Sequence, residues 1–88
     1  MIIAKVIGNV WTTQKEKGME NLKLLIVRPI GHDNEFIEDI FVAVDRIGAG
    51  KSETVLITKG SPAQKICGDQ NTPIDAAIVG IVDSYDIA

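Results

Sequence analysis

Few residues in this chain invite a chemical reading. Gly50-Lys51-Ser52 has the ending of a phosphate-binding loop. That motif also requires a glycine five residues before its second glycine, and the position holds Asp45. The tripeptide lies between two strand-like runs, so no helix N-terminus stands ready for a phosphate. Lys51 and Ser52 are therefore expected on an exposed, tight connection. His32 is the only histidine and Cys67 the only thiol. A zinc site would have to recruit Asp or Glu for its other protein ligands, and the spacing follows no recognised pattern. His32 is expected in a solvated loop. Cys67 has no activating partner nearby in sequence and reads as a small, half-buried residue, not a nucleophile.

Asp45, Glu53, Asp75 and Asp83 each fall at the end of an apolar run. Two carboxylates brought together at a barrel rim could act as general acid and base. The simpler role is to accept backbone N–H bonds that end strands and fix turns. Asp75, after Pro73-Ile74, is expected to organise the entrance to the last strand. Trp11 has three readings: a stacking platform for a ligand, a residue at a subunit boundary, or ordinary packing. Its amphipathic ring suits the boundary best. No catalytic, cofactor-binding or metal-ligating residue is assigned, and the expectation is of a protein that is not an enzyme.

The elements that must hold these residues are strands. Of 88 residues, 45% are apolar, and Ile and Val dominate them, a β-branched excess that favours strands. One domain spans 1–88. A chain of this size buries only about 60–65% of its extended surface. Its apolar side chains exceed what so thin a core absorbs, which points to self-association; a tightly packed monomer is the alternative. Twelve acidic against nine basic residues leave a net charge of −3 with no basic block, which argues against nucleic acid. No apolar run approaches membrane-spanning length. The absence of a signal-like leader and the lone cysteine point to an intracellular protein.

Ile2 to Trp11 reads as the first strand, with Ile2, Ala4, Val6, Gly8 and Val10 on an inner face. Ile3, Lys5, Ile7, Asn9 and Trp11 fall on the other, where three apolar residues are too many for a wet surface. Gly8 is a candidate bulge. Thr12 to Asn21 is a polar excursion. Lys23 to Arg28 is continuously apolar at its centre and is expected to be buried on both faces. Gly31 to Asp39 is an acidic connection, Ile40 to Val44 the third strand and Thr54 to Thr58 the fourth. Ser61, as a cap, and Pro62 open a short helical turn through Ile66. Ala77 to Val82 is the fifth strand. Five short strands and one helical turn suggest a small, partly open barrel of OB type, with an open sheet as runner-up. Between the third and fourth strands, Gly48 and Gly50 offer backbone freedom around the small Ala49.

Several of these segments together resemble a known family. Ala4-Lys5-Val6-Ile7-Gly8 and Thr13-Gln14-Lys15 match an Ala-x-Val-x-Gly strand followed by Thr-x-Lys. Lys23-Leu24-Leu25-Ile26-Val27 follows. The central run Val42-Ala43-Val44-Asp45-Arg46-Ile47-Gly48-Ala49-Gly50-Lys51-Ser52-Glu53-Thr54-Val55-Leu56 is the most specific. Gly60-Ser61-Pro62-Ala63, Pro73-Ile74-Asp75 and Gly80-Ile81-Val82-Asp83 complete the order. The chain thus resembles the EutN/CcmL family of bacterial microcompartment vertex proteins over nearly its whole length. Departures are Ser52, where Gly or Asp is frequent, Pro62 in place of Ser or Ala, and Asn21 where Gly is common.

The resemblance implies an all-β protein, a five-stranded OB-like barrel with one short helical turn, assembling as a ring. It implies a homopentamer at the vertices of a polyhedral shell in the bacterial cytoplasm, with hexameric facet proteins and encapsulated enzymes as partners. The family has no established catalytic residues or cofactors. Ile3, Ile7 and Trp11 are candidate subunit contacts, and Gly48, Ala49 and Gly50 candidate close-approach residues of the central loop. A bulky residue at position 49 is accordingly expected to impair assembly more than folding. Lys15, Lys17 and the 33–39 connection are exposed candidates for facet contacts. The alternatives are a small OB-type ligand- or nucleic-acid-binding module, which would need an aromatic and basic face, and a ring that caps no shell.

Overall fold

Runs of β-branched residues broken by glycine and polar turns produce five strands in a computed structural model that describes residues 1–12, 22–31, 39–66 and 74–86. They are β1 (Ile2–Val10), β2 (Lys23–Pro29), β3 (Phe41–Asp45), β4 (Thr54–Lys59) and β5 (Ala76–Ile81), with helix α1 (Ser61–Ile66) between the last two. The strands close into a barrel in the order β1-β2-β3-β5-β4. The wall is therefore shut where the sequence suggested a partial opening. Four of its seams are antiparallel. The fifth, between β3 and β5, is parallel and joins only Val44 to Ala77 and Asp45 to Ile78.

Inward-facing residues of all five strands make the core. Leu25, Val27, Val55, Ile57 and Ile78 are buried within it, with Ala4, Val6, Ala43 and Ala76 filling the narrow places. Each fully buried Leu, Ile or Val contributes about 1.5–3 kcal/mol relative to exposure. Small and large residues alternate because so narrow a barrel cannot hold a large side chain at every inward position. A second cluster, Leu24, Val44 and Ile74 with Val10 and Leu22 against it, lies on the outer side of β1, β2 and β3. β2 is thus buried on two sides at Leu24 and Leu25, as its apolar run predicts.

The inner face of β1 is shorter than its alternation suggests. Val6 pairs with Val27 and Gly8 with Ile26, which leaves Ile7 as the extra residue of a bulge. One inserted residue reverses every side chain that follows it. Ala4 and Val6 therefore point inward, whereas Gly8 and Val10 lie outside beside Ile26 and Leu24. A Cβ on Gly8 would meet Ile26 Cδ1 at 3.6 Å, ordinary contact, so the bulge and not crowding explains this position.

The turn into α1 also differs from expectation. Gly60 adopts a φ of 75°, and its carbonyl accepts from Ala63 N at 3.0 Å and Gln64 N at 3.3 Å. Gly60 is therefore the capping residue and Ser61 the first helical one, because the strand must reverse through a conformation that favours glycine. Gly60 N donates to Asp75 O at 2.7 Å, so Asp75 orders the start of β5 through its backbone. Ala63 is the buried face of the helix.

The connection between β3 and β4 folds inward. Ala49 is 1% exposed and belongs to the barrel core. It is a stopper in its own subunit, so the expected order of effects at this position reverses. Ala49→Leu should lower subunit stability by about 1–3 kcal/mol through overpacking, read as a reduced denaturation midpoint. An unchanged midpoint with only assembly lost would return Ala49 to the subunit boundary.

Candidate functional site

The loop from Asp45 to Glu53 is held by two carboxylates. Asp45 ends β3 with its side chain fully buried. Its Oδ1 accepts from Ile47 N at 3.0 Å and Gly48 N at 3.1 Å. This side-chain-to-backbone turn is the role that Asp fills at strand ends. Lys23 reaches in from the start of β2, directly opposite Asp45 in the ladder. Its Nζ lies 3.2 Å from Oδ2 as an ion pair and donates a hydrogen bond to Ala49 O at 3.1 Å. Asp45 Oδ2 has no hydrogen bond of its own among the described residues, so the ammonium supplies it with charge. One lysine therefore compensates the buried carboxylate and pins the loop that plugs the barrel. Arg46 Nη1 donates to Ile66 O, fastening the outer part of the loop to the end of α1.

Glu53 performs the matching task at the other end. Gly50 N donates to its Oε1 at 2.6 Å, while Glu53 N donates to Gly50 O at 3.1 Å. The four residues 50–53 make a turn whose third member, Ser52, has a φ of 73°. Ser52 N then donates to Val6 O at 2.9 Å, and Val6 N to Glu53 O at 3.0 Å, so the turn joins the β1 ladder. Gly48, at φ 89°, needs the freedom of glycine. Gly50 does not show a left-handed φ; its missing Cβ instead leaves room for Glu53 Oε1, 3.3 Å from where that atom would stand. Lys51 and Ser52 are exposed in a strand-to-strand turn. The decoy motif thus has no helix N-terminus behind it.

The second feature is apolar surface. Trp11 is 84% exposed, while Ile3 and Ile7 are half-buried on the outer wall. Ile3 pairs with Leu56, which pairs with Gly80, forming one apolar row across β1, β4 and β5. Val42 at 46%, Ile47 at 47% and Ile81 at 40% are also open. Sequence reasoning did not single these three out, since each lies in a run that reads equally well as core. The structure therefore separates the six candidate residues. Ile3, Ile7 and Trp11 are on the outside, and Gly48, Ala49 and Gly50 belong to the loop that stops the barrel. His32, Cys67, Lys15, Lys17 and residues 33–38 lie outside the described residues. The Lys23–Asp45 pair was also missed. Its signal was a lysine at the start of one strand and an aspartate at the end of the next, which an antiparallel register brings together.

Asp45→Ala removes two acceptor bonds and the counter-charge of Lys23, an expected loss of about 2–3 kcal/mol. Asp45→Asn keeps an acceptor for the turn and should lose less; equal losses in chemical denaturation would assign the whole effect to charge. Ser52→Gly relieves a left-handed serine and should stabilise the subunit by about 1 kcal/mol. A lower melting temperature for that variant would contradict the turn geometry.

Comparison with known proteins places this architecture. The family model described as "Ethanolamine utilisation protein EutN/carboxysome" matches residues 1–83. The chain is 45% identical over 84 residues to the carboxysome shell vertex protein CcmL of Thermosynechococcus vestitus, covering 96% of this chain and 85% of that protein. It is 42% identical over 88 residues to the bacterial microcompartment shell vertex protein PduN of Salmonella typhimurium, covering 96% and 97%. The solved GrpN pentameric microcompartment shell protein of Rhodospirillum rubrum superposes with a TM-score of 0.88 at 35% identity, covering 100% of both chains. With the family model matching residues 1–83 and the fold superposing over the whole length, the chain belongs to the EutN/CcmL family.

Proposed function

We propose that the protein is a structural subunit of a bacterial microcompartment shell, forming a homopentamer that caps the vertices of the polyhedron. The observation that carries this reading is end-to-end likeness to a pentameric shell protein, with neither chain left over. The physical counterpart is the outer wall. Ile3, Leu56 and Val42 form surface that a lone subunit leaves partly wet, and burying it against further copies is favourable at about 25 cal/mol per Å². A ring achieves this through a head-to-tail interface that closes by rotation. Hexameric facet proteins would surround the ring, and encapsulated enzymes would lie on its inner side. The role is architectural: Asp45, Arg46 and Glu53 of the central loop are engaged in holding the fold.

A binding module of OB type would display aromatic and basic groups on one face. Here the Phe41 ring is covered by Lys59 Nζ, 4.2 Å from its centroid, and among the described residues Trp11, at the end of β1, is the one largely exposed ring.

Native mass spectrometry of the purified protein is expected to show five copies, and co-expression with a hexameric facet protein should yield closed shells only when this subunit is present. A monomer at high concentration would refute the reading. Trp11, the only tryptophan, reports on the boundary. Its emission should shift to shorter wavelength on assembly, and Trp11→Ala should weaken the ring by about 2 kcal/mol or more. Emission that does not change on dilution to monomer would remove Trp11 from the contact.

A further inference from the structure

The short parallel seam leaves a hollow in the outer wall. Its ladder joins only Val44 to Ala77 and Asp45 to Ile78, so β3 and β5 part on the N-terminal side of those pairs. A cavity of about 390 Å³ opens there, lined by Phe41, Val42, Val44 and Ile74, with Lys59 and Asp75 adding one charge of each sign. The two charges are not equivalent. Lys59 Nζ is engaged over the Phe41 ring. Asp75 serves its own subunit through its backbone carbonyl. Its exposed carboxylate has no ion pair among the described residues. The hollow is therefore apolar, with a negative charge left over at its edge.

A strip of the matching kind crosses β1 and β4. Ile3 is directly opposite Leu56, and residues so paired share a face. Leu56 is in turn opposite Gly80, which has no side chain to cover its flank. Ile30 N donates to Ile3 O at 3.0 Å, which brings a third aliphatic residue alongside. Ile3, Ile30 and Leu56 are all half-buried. Lys5, two residues beyond Ile3, shares its face and forms no ion pair among the described residues. Arg28, opposite Lys5, has an interaction within its own chain, so Lys5 is the cation left to reach outward. Ile3 and Leu56 stand on β1 and β4, whereas Val42 and Val44 stand on β3, whose neighbours are β2 and β5. A subunit cannot lay its strip on its own hollow. Two different, complementary surfaces are what a head-to-tail ring brings together.

We infer that Ile3 and Leu56 of one copy pack into the hollow beside Val42 of the next, and that Lys5 there meets Asp75. This rests on the ring reading and names the surfaces that make the ring. The contact has an apolar centre with charge at its margin, the usual anatomy of a protein interface. Apolar burial supplies attraction without direction. The Lys5–Asp75 pair supplies register, since sliding the strip along the hollow would set Lys5 against Lys59.

The test uses the full chain and its variants, with association read by sedimentation over a dilution series. Lys5→Glu and Asp75→Lys each set like charges together and should weaken the ring by about tenfold or more. The double variant Lys5→Glu/Asp75→Lys should recover most of that loss, which also shows that neither change damages the fold. Added salt should weaken the parent more than the neutral pair Lys5→Gln/Asp75→Asn. Val42→Ser, at a position 46% exposed in the lone subunit, should weaken association at low and high salt alike while the circular dichroism spectrum stays that of the parent. Single charge variants that form rings as readily as the parent, a double variant no better than the singles, or a Val42→Ser ring as tight as the parent's would overturn this contact and leave the ring reading in place. A parent that is itself monomeric would remove both.

Discussion

The buried carboxylate of Asp45 is the point on which closure of the barrel depends. It pairs with Lys23 across the antiparallel seam to β2 and with Ile78 across the parallel seam to β5. Three strands therefore meet at one residue. The same side chain turns the chain through the N–H groups of Ile47 and Gly48 and aims Ala49 back into the core. A buried charge of this kind is costly unless compensated. Here Lys23 compensates it from a half-exposed position while also holding Ala49 O. The ion pair is best understood as a latch on conformation, since the loop, the plug and the short seam all change if its partners separate.

Much of this architecture can be read in the residues themselves. Each strand lies within one residue of the bounds suggested by its apolar run, because Ile- and Val-rich segments between glycines leave little choice of structure. The bulge at Gly8 was visible as a glycine in a strand, yet its consequence was not. Gly8 and Val10 change sides because Ile7 is inserted, and period-two alternation cannot announce an extra residue. Gly60 was overlooked as a cap in favour of Ser61, since the serine has the better local chemistry and only the path from β4 to α1 reveals the positive φ.

The candidate site divides along the same line. Gly48, Ala49 and Gly50 were legible as a tight loop, but not as a plug, because alanine between glycines looks like clearance for an outside partner. Only the folded path shows that the partner is the subunit's own core. Ile3, Ile7 and Trp11 were legible as excess apolar surface on β1. Val42, Ile47 and Ile81 were hidden in runs where core and surface positions have the same composition. Family likeness supplies what composition does not, namely that such surface belongs to a closed assembly.

The two-pair seam between β3 and β5 has a temporal consequence. Neither that seam nor the one joining β4 to β5 exists until residues 76–81 have been made. A chain that still lacks β5 can therefore form at most an open wall of β1 to β4, and at about 5–20 residues per second the last strand is complete about one to four seconds after β4. Translation order itself thus leaves closure of each subunit to the last strand made.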